Sequence, residues 1–292
     1  MKQALTNGID VSKWQGTNID WQAVKASGVD YVILRAGYGR IIDQKDPTFE
    51  ANYAGAKAAG LDVGVYWYSY AMTNSEAEAE ATVCLEAIKG KRLEYPVYYD
   101  IEEAKQLARG RTVVSNMAEA FCKRLEAAGY FAGIYMSASP ATTHLTAFAK
   151  TRFALWLADW SGDLSYTGAV GMWQYTDKGK VDGIKGAVDL NRCYLDYPAI
   201  IKRNGLNGYQ VEPPKLVNPY KAPTKVLRRG SKGDGVRWMQ WTLHRLGYDL
   251  GGAGIDGSYG PATEQAVKTY QLAVGLEVDG VCGPKTQAAL KK

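Results

Sequence analysis

The chain has 292 residues, 46% hydrophobic and 22% charged, enough for one large core or for a large and a small one. Its formal charge of +5 is unevenly placed: from Lys221 onward 11 Lys/Arg face 6 Asp/Glu, while 24 of each precede them. A basic tail beside a neutral body suggests docking to a polyanion, and the lack of a long Lys/Arg run with interleaved aromatics favours an anionic cell wall over nucleic acid.

Strand-like and helix-like runs alternate through the first two hundred residues. Residues 8–12 read as a strand and 21–27 as a short helix. Residues 31–36 (YVILRA) are a strand and 49–59 an Ala-rich helix. Residues 63–70 form a strand, followed by a helix over 74–88 with Asn74 or Ser75 as its cap. A strand at 96–101 precedes a long helix at 112–128. Four more strands follow at 131–135, 153–158, 171–175 and 187–190, with short or absent helices between the last of them. The fold class is α/β: an irregular (β/α) TIM-like barrel with incomplete helices.

Composition and texture divide the chain further. Residues 1–205 are the barrel. Residues 206–224, with Pro213, Pro214, Pro219 and Pro223, read as a linker. Residues 225–292 form a small all-α domain of three helices. It contains an internal repeat, since IDGSYGPATEQAV at 255–267 aligns with VDGVCGPKTQAAL at 278–290. Each unit offers a D-G turn, a G-P step and a Thr near a helix start. Residues 236–246 and 263–273 read as amphipathic helices.

The chemistry concentrates at one predicted rim. In YPVYYDIE, at 95–102, a short strand ends in two acids one residue apart, so Asp100 and Glu102 point the same way. Paired carboxyls seldom both stay ionised, and one protonated acid beside an anion is equipment for glycosidic cleavage. Asp10, Asp159, Asp189, Tyr68, Tyr70 and Gln174 also lie near strand ends, where such barrels place their sites. A solvated strand end is the bland alternative for any one of these acids. Asp10 could serve a turn, and Asp189 could pair with Arg35 or Arg192. Twenty Tyr and eight Trp against five Phe suit stacking on sugars, although many must simply pack.

Cys84, Cys122, Cys193 and Cys282 are widely spaced and read as reduced structural thiols. His144 and His244 are the only histidines, so a zinc site or a Ser-His pair is poorly supported. No metal and no cofactor is expected. The first seven residues hold no apolar run, so neither a signal peptide nor membrane insertion is expected, and the oligomeric state is left open.

GIDVSKWQG (8–16), VILRAG (32–37), GVYWYSY (64–70), YDIE (99–102), WLADW (156–160), WQY (173–175) and VDLNR (188–192) occur in one order. Together they resemble family 25 of the glycoside hydrolases, the muramidase-type lysozymes of phages and bacteria. LRRGSKG (227–233) with the two D-G-x-x-G-P-x-T units resembles the small peptidoglycan-binding module of wall hydrolases.

The resemblance implies an endolysin or autolysin that hydrolyses the β-1,4 bond between N-acetylmuramic acid and N-acetylglucosamine in bacterial peptidoglycan. It implies Glu102 as general acid, Asp100 as stabiliser or holder of the substrate's N-acetyl group, and Asp10 and Asp189 as supporting acids. Trp14, Tyr66, Tyr68, Trp160, Trp173 and Tyr175 are the candidate sugar platforms, about half of them core by strand alternation. It also implies release from the cytoplasm through a holin-type lesion. The alternative is an inactive glycan-binding protein on the same barrel.

Overall fold

The computed structural model describes residues 3–210 and 218–291. The chain forms two compact units, Met1–Glu212 and Pro213–Lys292. In the first, eight strands close a barrel in chain order. They are β1 (Thr6–Val11), β2 (Tyr31–Tyr38), β3 (Asp62–Tyr68), β4 (Val97–Asp100), β5 (Ala132–Ser137), β6 (Ala154–Ala158), β7 (Met172–Gly179) and β8 (Val188–Cys193). Neighbours from β1 to β7 are parallel. The last strand, β8, runs antiparallel to both β7 and β1.

The connections explain the incomplete helical shell. Helices α1 (Trp21–Ala26), α2 (Phe49–Ala58) and α3 (Asn74–Ala87) follow β1, β2 and β3. Short α4 (Ala104–Leu107) and long α5 (Gly110–Ala127) follow β4. Then α6 (Ala138–His144) and α7 (Ala147–Arg152) follow β5. Among the described residues no helix joins β6 to β7 or β7 to β8. The β7–β8 step is antiparallel and needs no crossover helix, whereas the parallel β6–β7 step is made by a loop. The cap of α3 is Thr73, extended and accepting from the Glu76 amide at 3.2 Å, not Asn74 or Ser75 as expected, which fall inside the first turn.

Strand alternation separates two apolar layers. Outward residues such as Ile9, Val11, Val63, Val65 and Val97 pack under the helices, and Tyr99 stacks on Phe121 of α5 with centroids 3.9 Å apart. The inward face is aromatic: Tyr31, Ile33, Tyr98, Tyr135, Trp156 and Met172 fill the barrel. Glycines make the room, because a Cβ on Gly8 would strike the Tyr31 ring and one on Gly133 the Tyr98 ring. Much of the tyrosine surplus is therefore core.

The barrel floor was not visible in the sequence. Helix α8 (Tyr197–Arg203), capped by Asp196 on the Ala199 amide at 3.0 Å, sends Tyr197 and Ile201 up against Tyr95 and Phe131. Asn207 then locks the chain: its side chain donates to the Tyr95 carbonyl (2.9 Å) and accepts from the Phe131 amide (2.7 Å). It is fully buried and takes a left-handed φ of 55°, which Asn tolerates better than most residues. Residues 206–209, read from sequence as the start of the linker, thus belong to the barrel. Residues 211–217, which include Pro213 and Pro214, lie outside the described residues.

The second unit packs α9 (Asp234–Arg245), α10 (Pro261–Ala273) and α11 (Pro284–Leu290) around Val236, Met239, Leu243, Val267, Cys282 and Leu290. Its repeat has a clear physical basis. Gln240 donates to Asp256 (2.8 Å), the Ser258 carbonyl and Thr263 (both 3.1 Å), and accepts from the Gly257 amide (2.8 Å). Gln271 repeats the pattern on Asp279, the Val281 carbonyl, Thr286 and the Gly280 amide. Each D-G turn is clasped by a buried glutamine from the preceding helix. Gly260 and Gly283 then lead extended into Pro261 and Pro284 at the helix starts. Asn218 donates to the Trp238 carbonyl (2.8 Å), so the last residues assigned to the linker already belong to this unit.

Candidate active site

One end of the barrel opens into a cavity of about 280 Å³ lined by Asp10, Asp100, Glu102 and Asp189. Asp100 is the last residue of β4 and points inward below Glu102. Glu102 lies just past the strand, which ends one residue earlier than the expected Ile101. Extension persists for one residue, because the Ile101 amide still bonds the Tyr135 carbonyl at 3.1 Å, and that keeps Glu102 on the same side. Asp189 arrives differently. It sits at the start of β8, and only the reversal of that strand brings it to the rim, paired across the ladder with Asp10. It bonds neither Arg35 nor Arg192; Arg35 is held by Asp46 at 2.6 Å, and Arg192 lies over Trp173 and Tyr175.

Asp10 is the hub of a polar network. Gln174 and Asn191 both donate to its Oδ2, at 2.9 and 2.8 Å. Each amide is oriented by a ring: Gln174 Oε1 accepts from Tyr135 (3.0 Å) and Trp160 (3.2 Å), and Asn191 Oδ1 accepts from Trp156 (2.8 Å). Burial, then the adjacent Asp189, still raises the Asp10 pKa well above the usual carboxylate range. Asp189, its cross-strand neighbour, is raised by burial as well.

Asp100 is raised well above its ordinary value, first by burial and then by Glu102 and Asp10, with Arg35 opposing. Its Oδ1 is buried without a partner. Glu102, open to solvent at the cavity mouth, is raised by the desolvation its carboxyl suffers there and then by Glu103. The deeper acid is therefore the more strongly shifted of the two.

The aromatic candidates divide. Trp14, Tyr66, Tyr68 and Trp160 line the cavity. Trp14 is 79% exposed and Trp160 55%, yet the Trp160 indole is fixed by Gln174. Tyr68 donates to Glu103 at 2.7 Å. Trp173 faces outward and is buried, donating to the Asp159 carbonyl (2.8 Å), and Tyr175 lies outside the cavity under Arg192. Neither can offer a face to a sugar there. Asp159 shapes a loop by accepting from Ser161 and Ser165, which lowers its pKa to about 2.

Gln15, Tyr135, Trp156 and Asp177 line the cavity without having been singled out from sequence, and Arg35 was named only as a possible partner of Asp189. Inward alternation on β2, β5 and β6 was the signal available for Arg35, Tyr135 and Trp156. Among the described residues no cluster of three or more His, Cys, Asp or Glu suits a metal ion, and the four cysteines are buried and free.

Comparison with known proteins agrees with this geometry. The model of glycosyl hydrolases family 25 matches residues 9–184, and that of a peptidoglycan binding domain residues 232–290. An autolytic lysozyme of Clostridium acetobutylicum is 30% identical over 291 residues, 98% of this chain and 78% of the relative. A bacterial lysozyme structure from Streptomyces coelicolor superposes with a TM-score of 0.57 at 26% identity, over 68% of this chain and 97% of that one. The modular autolysin LytC of Streptococcus pneumoniae gives 0.58 at 28% identity, over 65% of this chain and 46% of that one. With a family model spanning residues 9–184 and a 30% identical relative aligned over 98% of this chain, the chain belongs to glycosyl hydrolases family 25.

Proposed function

We infer that the protein is a muramidase that hydrolyses the β-1,4 bond after N-acetylmuramic acid in bacterial peptidoglycan. The observation that carries this is the single cavity in which Asp10, Asp100, Glu102 and Asp189 meet between exposed Trp14 and Trp160. Glu102, at the mouth, protonates the leaving oxygen. Substrate seated over it excludes water and raises its pKa further.

Asp100 is the orphan that substrate completes. An acetamido N–H donated to its free Oδ1 favours the anion, reversing the order of proton affinities set by burial alone. The anion then holds the amide while its carbonyl oxygen attacks the anomeric carbon. The glycosidic bond breaks, and the proton of Glu102 goes to the departing sugar. Water, deprotonated by Glu102, opens the resulting oxazolinium ion and restores the acid. The Asp10–Asp189 pair lines the same cavity and stabilises the developing cation. The second unit holds the enzyme to the wall.

Release of reducing ends from purified wall, with mass spectrometry of the products, tests the reading. Muropeptides ending in N-acetylmuramic acid are expected. Free peptides with intact glycan, or binding without release, would overturn it.

A further inference from the structure

Beside the acid-lined cavity lies a second of about 350 Å³, lined by Lys13, Trp14, Arg35, Tyr38, Tyr68 and Tyr70. Trp14, Arg35 and Tyr68 wall both, so the two are neighbours. Its chemistry differs: it contains two cations, four aromatic rings and no acid. Lys13 forms no ion pair among the described residues, and its ammonium stands 5.0 Å from the Trp14 ring centre. Arg35 is only 11% exposed, and its Nη2 is buried without a partner although Nε is bound to Asp46.

Asp46 organises both cations. It is fully buried and accepts from Arg35 Nε (2.6 Å) and the Lys13 amide (3.1 Å) on one oxygen, and from the Thr48 amide (2.9 Å) and hydroxyl (2.7 Å) on the other. With its own charge saturated, it fixes the Arg35 fork and the turn carrying Lys13. Tyr38 and Tyr70, edge to face at 6.0 Å, form the other wall.

We propose that this second cavity is an anion subsite that binds a carboxylate carried by the muramoyl unit, with Lys13 and Arg35 as its donors. Two sources share that chemistry: the acidic residues of the stem peptide, and the lactyl group where no peptide is attached. A neutral polymer of N-acetylglucosamine offers neither. The subsite thus selects substituted wall glycan over chitin-like glycan, a selection the acids of the first cavity cannot make. This inference rests on the muramidase reading.

The test uses the full chain and Lys13→Gln, with Lys13→Arg as the restoring variant. Substrates are glycan strands bearing stems, strands stripped by an amidase to free lactyl carboxylates, and both after conversion of their carboxylates to methylamides. On an anionic substrate Lys13→Gln should raise KM roughly two- to fivefold with kcat unchanged, as for a partly exposed charge pair. Lys13→Arg should restore it, and the methylamides should show no difference. An effect on stem-bearing strands alone assigns the stem; an effect on stripped strands assigns the lactyl group. Equal losses on charged and neutral substrates, or no loss on either, overturn the proposal. If the wild type releases no reducing ends at all, it is the muramidase reading that fails. Calorimetric binding of the same fragments to wild type and Lys13→Gln then decides the subsite independently.

Discussion

At the scale of single residues, the rim acids differ by depth more than by type. Glu102→Gln preserves size and hydrogen bonding but removes the transferable proton. Turnover of wall glycan should fall about 10²–10⁴-fold, with affinity for wall fragments retained. Asp100→Asn should also abolish most turnover, yet stabilise the free protein. Because folding raises the Asp100 pKa, its ionisation opposes folding. The penalty is absent below the ordinary carboxylate value of about 4 and grows as pH rises above it. Calorimetry should find the variant melting roughly 2–4 °C higher at pH 7 and no higher at pH 4. On the proposed route the first sugar released keeps its anomeric configuration, and NMR of the initial product showing the inverted anomer would discard it. The acids were legible because motif and strand end coincide. Asp46 was not: in the run Asp46-Pro47-Thr48-Phe49 it looks like an ordinary helix-start residue, and it is one, through Thr48. Its second duty toward Arg35 depends on a contact across the fold.

At the scale of elements, all eight strands could be read from short apolar runs, because each buries an outward face under helices or against neighbouring segments. The direction of β8 could not, since periodicity is the same for either direction. The floor helix α8 escaped because Tyr197-Pro198-Ala199-Ile200-Ile201 is short and follows a strand without an obvious break. In the small unit, D-G and G-P steps were readable, but their clasps were not: Gln240 precedes its Asp by 16 residues and Gln271 by 8, so no fixed spacing exposes them. Gln240→Ala or Gln271→Ala strips four hydrogen bonds and strands a buried amide on Gly257 or Gly280. Each should cost about 2–3 kcal/mol, seen as an earlier transition of this unit in denaturant. Melting of the barrel should not move.

At the scale of the whole molecule, the division of labour can be cut at a defined point. A chain ending at residue 210 keeps Asn207 and should fold and cleave soluble glycan fragments. A chain ending at 205 loses it, exposing the Tyr95 carbonyl and Phe131 amide, and should melt several degrees lower. Pelleting with intact wall should fall for both, and for the full chain it should weaken as salt rises, because the positive surplus lies beyond Lys221. Equal pelleting of full and shortened chains would remove the anchoring role.

The aromatic filling of the barrel has an optical consequence. Tyr135, Tyr98 and Tyr66 stand 4.4, 5.2 and 6.1 Å from Trp156, centre to centre. At such separations light absorbed by the phenols passes to the indole before they can emit. Trp156 also borders the acid-lined cavity through the Asn191 network. The folded barrel therefore carries its own label: these three tyrosines should stay dark until the barrel opens, and a sugar entering the site should shift the colour of the light that Trp156 returns.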